Sequence, residues 1–191
     1  MGIFELPEGY REIKRVNLQK DKKVAIGVNL AALVIAAVVF AVGNAFVPFS
    51  LRIGAENLSA YALGCLGVAV AMIAYLVAHE LVHGIFIKRY SGKKAKYGFT
   101  GLYAYAGSDA YFGRRQNITI ALAPVVVFGV LFLLLNIALP RQWFWPIYFL
   151  QIINLSGAAG DLYITALMKK LPADVLTTDV GVEMVMYSRE G

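Results

Sequence analysis

Four stretches of nearly unbroken apolar residues divide the chain, at residues 24–49, 58–87, 118–139 and 143–168. A hydrocarbon core about 30 Å thick needs roughly 20 apolar residues of helix to cross it, so each stretch predicts a transmembrane helix. The first follows a polar, charged segment (residues 1–23) and is too long for a signal-peptide core, so it is expected to remain as an anchor. Between the second and third stretches lies a loop at 88–117. There Tyr97, Phe99, Tyr103 and Tyr105 alternate, and Ala106-Gly107-Ser108-Asp109 reads as a turn before Ala110-Tyr111-Phe112, which predicts a β-hairpin at the membrane surface. Beyond Pro172, alternation of Val180, Val182, Met184 and Met186 predicts one more strand packing on that hairpin.

Composition agrees with an apolar solvent. The 191 residues are 59% hydrophobic and only 16% charged, against roughly 45–50% and about 25% for soluble domains. One cysteine and two histidines exclude a disulfide framework and a zinc site built from several thiolates.

The net charge of +6 is explained by position. Arg11, Lys14, Arg15, Lys20, Lys22 and Lys23 precede the first stretch. Lys88, Arg89, Lys93, Lys94, Lys96, Arg114 and Arg115 lie between the second and third, and Lys169 and Lys170 follow the fourth. The other connections hold only Arg52 and Arg141. Cytoplasmic loops carry the excess of Lys and Arg, so both termini and the long loop are expected in the cytoplasm, with external turns at 50–57 and 140–142. Trp143, Trp145 and Tyr148 fall where an external aromatic belt is expected. The basic residues flank spans and are read as contacts to anionic lipid; no nucleic-acid module is recognisable, and no nucleic-acid partner is expected.

Ionisable residues inside a span are costly and mark function by default. The second stretch contains His79-Glu80-Leu81-Val82-His83. Residues four apart lie on one helix face, so the two imidazoles can bind one Zn²⁺ with Glu80 beside them as a base for water. The competing reading is a pair of histidines hydrogen-bonded in a core beside a buried carboxylate. Cys65 lies fourteen residues before His79, roughly 21 Å along the same helix, too far to ligate. The only acid in the other stretches is Asp161, about 10–12 Å from the cytoplasmic end of its helix, and the histidines lie about 6–12 Å from the same side. The small residues from Ser156 to Gly160 permit close helix approach, so Asp161 can reach a metal on the second helix. Asn154, Gly157, Asp161 and Thr165 share one helical face. The competing reading of Asp161 is a protonated acid hydrogen-bonded across helices, and Asn154 reads as either an interhelical hydrogen bond or a substrate contact.

These residues resemble the site-2 type of intramembrane zinc metalloprotease and, more closely, a family of small bacterial membrane proteins described as zincin peptidases. The resemblance rests on Leu6-Pro7-Glu8-Gly9-Tyr10, His79-Glu80-Leu81-Val82-His83-Gly84, Ala123-Pro124 and Gly160-Asp161. It implies His79 and His83 as zinc ligands, Asp161 as the third ligand and Glu80 as general base. The site-2 pattern has a proline three residues after its asparagine and a glycine after its aspartate. Gly157 and Leu162 stand there in this chain.

The expectation is an α-helical integral membrane protein of about four transmembrane helices with a small cytoplasmic β-hairpin. Its parts are a cytoplasmic N-terminal segment (1–23), a transmembrane core (24–168) and a cytoplasmic tail (169–191). In a bacterial plasma membrane it would hydrolyse a peptide bond in or near the transmembrane segment of another membrane protein. Capping of the site by the hairpin, with a strand edge offered to substrate, competes with simple anchoring of its tyrosines in headgroups. The rival functions are a non-catalytic metal-binding pseudoprotease and a proton or ion relay through His79, Glu80 and Asp161.

Overall fold

The computed structural model describes residues 2–17, 19–50, 57–101, 103–181 and 183–190. Helix α1 (Lys22–Phe46) starts where Asp21 Oδ1 accepts the Val24 amide at 3.1 Å. Helix α2 (Leu58–Ser91) is likewise capped, Asn57 Oδ1 taking the Ala60 amide at 2.8 Å, and it ends at Gly92 with φ +80°, a left-handed stop suited to glycine. Lys88 and Arg89 in its last turn oppose the negative end of the helix dipole. Its 34 residues amount to about 51 Å, longer than a bilayer core, so it continues past the expected end at Ile87. Helix α3 (Arg114–Ala138) starts where Gln116 Oε1 accepts the Gly113 amide at 3.0 Å.

These three helices are long and apolar enough to cross a membrane. Many of their large side chains face outward; Ile26, Leu33 and Ile73, for example, are about two-thirds exposed. Apolar patches of this extent on a folded surface mark a membrane or a partner.

The fourth expected span is not one helix. A single 3₁₀ turn at Arg141–Trp143 leads into α4 (Phe144–Gly157, 14 residues), and α5 (Ala159–Lys170, 12 residues) follows across a break at Ala158. There φ is −80° and ψ 11°, and the Ala158 amide turns to the Ser156 carbonyl instead of continuing the helical ladder. Gly157 and Gly160 flank the break, and each glycine weakens a helix interior by roughly 0.8–1 kcal/mol relative to alanine. Asp161 thereby falls in the first turn of a new helix, at the positive end of its dipole.

Among the described residues, five strands form one antiparallel sheet in the order β1-β5-β4-β3-β2. They are β1 (Arg11–Val16), β2 (Lys96–Phe99), β3 (Ala104–Gly113), β4 (Leu176–Asp179) and β5 (Met184–Ser188). The hairpin therefore exists, but its turn is at 100–103, where Gly101 has φ +89° and the Thr100 amide bonds the Tyr103 carbonyl at 3.0 Å. Residues 106–109, expected as the turn, lie inside β3. Gly107 there answers a packing need: a Cβ would stand 2.7 Å from the Val180 carbonyl carbon.

The tail contributes two strands, with β4 on β3 and β5 on β4; Val182 of the expected alternation lies outside the described residues, as do residues 51–56 of the expected external turn. The N-terminal segment also joins the sheet. Its strand β1 pairs with β5, and Ile3 bridges to Tyr111 of β3. Because β1 leads into α1, β2 follows α2, β3 leads into α3 and β4 follows α5, the sheet gathers the basic ends of these helices at one end of the bundle.

Three apolar clusters hold the parts together. Met168, Val175, Met186 and Val16 join α5 to the sheet; Ile87, Ala110, Phe112 and Ile120 seat β3 against α2 and α3; Tyr75, Phe132 and Ile147 join α2, α3 and α4. Buried Thr177 on β4 donates to the Phe112 carbonyl (3.2 Å) and accepts from Asn117 of α3 (3.0 Å), so the sheet-to-bundle joint also has polar bonds.

Asp179, at the end of β4, accepts the Gly181 amide at 2.7 Å. Desolvation pushes its carboxyl up to about 6. The Gly181 amide and His83 oppose that rise, and the carboxylates of Asp161 and Glu80 add to it.

Two outcomes follow from this packing. Gly43 of α1 lies against Tyr148 of α4, whose hydroxyl donates to the Val39 carbonyl at 2.8 Å, and a Cβ at Gly43 would clash with the ring. Gly43→Val should therefore destabilise the protein by about 1–3 kcal/mol, read as a lower midpoint of thermal unfolding in detergent. For Asp179 the folded pKa lies above the unfolded value, so its contribution is full below about pH 4 and is lost as pH rises through about 6. In chelator-treated protein, melting of Asp179→Asn should gain on wild type between pH 4.5 and 7; a constant difference across that range would contradict this assignment.

Candidate metal centre

The spacing of Tyr75, His79 and His83 puts three rings on one face of α2, turned toward α3, α4 and α5. Both imidazoles are buried, at 9% and 8% exposure, although the helix around them is broadly apolar and exposed. Their Nε2 atoms converge on one oxygen: His79 Nε2 lies 3.5 Å and His83 Nε2 3.7 Å from Asp161 Oδ2. The structure thus brings together the two histidines and the acid from the far side of the α4–α5 break. The ligating atoms of His79, Glu80 and His83 all lie within 4.8 Å of one another, so Glu80 borders the same volume.

The donor set fits zinc. Two ligand atoms each about 2.0–2.1 Å from a tetrahedral zinc stand about 3.3–3.4 Å apart, close to the two distances measured here. Two imidazoles and one carboxylate form a three-ligand set that leaves a fourth position open.

Neighbouring backbone orients both rings. His83 Nδ1 is 2.8 Å from the carbonyl of Ile120 in α3. That carbonyl is available because the residue four positions on is Pro124, which has no N–H to complete the helical bond. A carbonyl only accepts, so His83 carries its proton on Nδ1 and presents the Nε2 lone pair to Asp161.

His79 Nδ1 is 3.0 Å from the Tyr75 hydroxyl, which also lies 3.0 Å from Asn154 Oδ1; Asn154 Nδ2 lies 3.0 Å from the Val125 carbonyl. Asn154 is fully buried and both ends of its amide are engaged. This geometry gives no support to a substrate contact there and makes Asn154 a tie between α2, α3 and α4. Thr165, one turn beyond Asp161, is buried as well. Cys65, set aside as a ligand, is an unpaired thiol in the first half of α2.

The sheet covers the Glu80 side. The backbone of Ala106 in β3 lies beside the Glu80 carboxylate. One turn along the same face, Gly84 meets Tyr97 of β2 so closely that a Cβ there would clash with the tyrosine hydroxyl. The glycine after the second histidine therefore makes room for the hairpin.

Sequence reasoning passed over Tyr75 and the carbonyls of Ile120 and Val125. Tyr75 had a readable signal, since 75, 79 and 83 repeat at helical spacing. The carbonyls had none beyond Pro124 itself.

Comparison with known proteins agrees with this geometry. A family model described as "Putative zincin peptidase" matches residues 72–176, a span that holds Tyr75, the two histidines, Glu80, Pro124, Asn154 and Asp161. A protein of Pyrococcus woesei named "Uncharacterized 24.7 kDa protein in gap 5'region" is 28% identical over 118 residues, covering 59% of this chain. The chain spans about half (51%) of that relative's length. No solved structure matches. With more than half of its residues matched, the chain belongs to the family described as "Putative zincin peptidase".

Proposed function

We propose that the protein is an intramembrane zinc metallopeptidase that hydrolyses a peptide bond in or beside the transmembrane segment of another membrane protein. The observation that carries this reading is that His79 Nε2 and His83 Nε2 both lie within 3.7 Å of Asp161 Oδ2, with Glu80 bordering the two histidines. Three apolar helices long enough to cross a membrane support placing the centre within a bilayer, and the gathering of basic helix ends beside the sheet supports a cytoplasmic position for the sheet and both termini. A cell membrane is the location this reading assigns.

In this reading His79, His83 and Asp161 hold the ion. Zinc bound there supplies Lewis acidity to a scissile carbonyl and acidifies water. Glu80 accepts a proton from the attacking water and returns it to the leaving amine, the general acid–base part of the reaction. The Asp161 side chain is 25% exposed, which supports entry of water to the centre. The hairpin over the Glu80 side screens the centre from that direction. Water access matters because a bilayer interior otherwise supplies none for hydrolysis.

Purified wild type should hold one zinc per chain. His79→Ala and His83→Ala should lose it, while Glu80→Gln should retain the metal and lose about 10²- to 10⁴-fold in cleavage rate. Membrane proteomics should then show uncleaved substrates accumulating in Glu80→Gln cells. Identical peptide profiles in the two strains, with metal bound in both, would leave a non-catalytic metal protein; absence of metal from chelator-free wild type would remove both readings.

A further inference from the structure

We propose that Tyr75 and Asn154 are positioning residues that determine which nitrogen of His79 carries its proton, and so make His79 a metal ligand. The inference rests on the metallopeptidase reading and adds two residues to it. It follows from hydrogen-bond direction along the chain of contacts His79–Tyr75–Asn154–Val125.

The Val125 carbonyl can only accept, so the group 3.0 Å from it must be the Asn154 amide nitrogen. The other end of that amide is then its carbonyl oxygen, which accepts the hydroxyl proton of Tyr75 across 3.0 Å. Tyr75 has one hydroxyl proton, and it is committed to Asn154. Toward His79 Nδ1, also 3.0 Å away, the tyrosine oxygen can therefore only accept. Nδ1 must carry the proton, and the Nε2 lone pair is left facing Asp161. Each link is buried: Tyr75 is 5% exposed and Asn154 0%, so no water can reverse one link cheaply.

His83 reaches the same tautomer by a shorter route, its Nδ1–H meeting the Ile120 carbonyl directly. Both ligands thus take their direction from carbonyls of α3, five residues apart. One is released by Pro124, and the other is reached through two side chains.

Partners of this kind typically change metal affinity by 10- to 100-fold. Removing the hydroxyl with Tyr75→Phe leaves His79 Nδ1 without an acceptor. Removing the amide with Asn154→Leu does more, because the freed tyrosine hydroxyl can then donate to Nδ1. That stabilises the tautomer whose proton sits on Nε2 and blocks ligation. The double substitution removes the misdirected donor.

The test is Zn²⁺ affinity of the full-length protein in detergent, measured by competition with a chromophoric chelator, together with the Co²⁺ absorption spectrum and metal-free melting. Tyr75→Phe should weaken Zn²⁺ by about tenfold or more and alter the Co²⁺ spectrum, and metal-free melting should fall as well, because Asn154 Oδ1 and His79 Nδ1 each lose a buried partner. Asn154→Leu should weaken Zn²⁺ at least as much, and the double variant should bind more tightly than Asn154→Leu alone. If Asn154→Leu fails to fold, ¹⁵N signals of the zinc-loaded imidazoles decide: Tyr75→Phe should move His79 and spare His83. Affinities within twofold of wild type, with His79→Ala still abolishing binding, would overturn this assignment and leave the metal centre standing. So would a double-variant loss equal to the product of the single losses, or unmoved imidazole signals. A wild type that binds no zinc would overturn this inference and the metallopeptidase reading together.

Discussion

Asp161 stands within 3.7 Å of two imidazoles inside an apolar bundle, and much of the structure exists to permit this. Ionisable groups taken from water cost several kcal/mol each unless they are paired and hydrogen-bonded. Each imidazole has a second partner at Nδ1, but two Nε2 lone pairs aimed at a carboxylate repel it as long as nothing positive lies between them. A divalent cation between them completes the balance of charge, which is the physical reason a metal fits this site better than an empty core does.

That convergence requires two interruptions of regular helix. Pro124 cannot bond to Ile120, and the carbonyl so released orients His83. The break at Ala158 starts a new helix whose first turn carries Asp161 near its positive end. Both interruptions border the candidate metal site, and irregular backbone is tolerated where it is buried in protein or lines a polar cavity. The small residues around the fourth segment thus do more than allow helices to approach; they end one helix and begin another.

The sheet imposes a second constraint. Strand β3 connects the metal helix region to α3 and packs on both through Ile87, Ala110, Phe112 and Ile120. The hairpin meets α2 at Gly84, and the backbone of Ala106 lies beside Glu80. Strands from the beginning and end of the chain complete the sheet, so the N-terminal segment and the tail take part in the architecture that frames the site. Asp179 ends β4 in the field of His83, Asp161 and Glu80, an acid near the centre that no motif marked.

Much of this was legible along the chain because its causes are local. Hydropathy marks three membrane-length helices, charge marks the helix ends, and the four-residue spacing of His79 and His83 marks a metal face, since each depends on residues within a few turns. The fourth helix was misread as continuous because glycines mark weakness without saying whether a helix breaks there. The hairpin turn was misplaced because Gly107 serves a contact with residues more than seventy positions away. The pairing of β1 with β5, and the direction of the proton on each histidine, could be decided only by the tertiary structure. Strand partners and hydrogen-bond acceptors are brought together by packing, which no local pattern of side chains encodes.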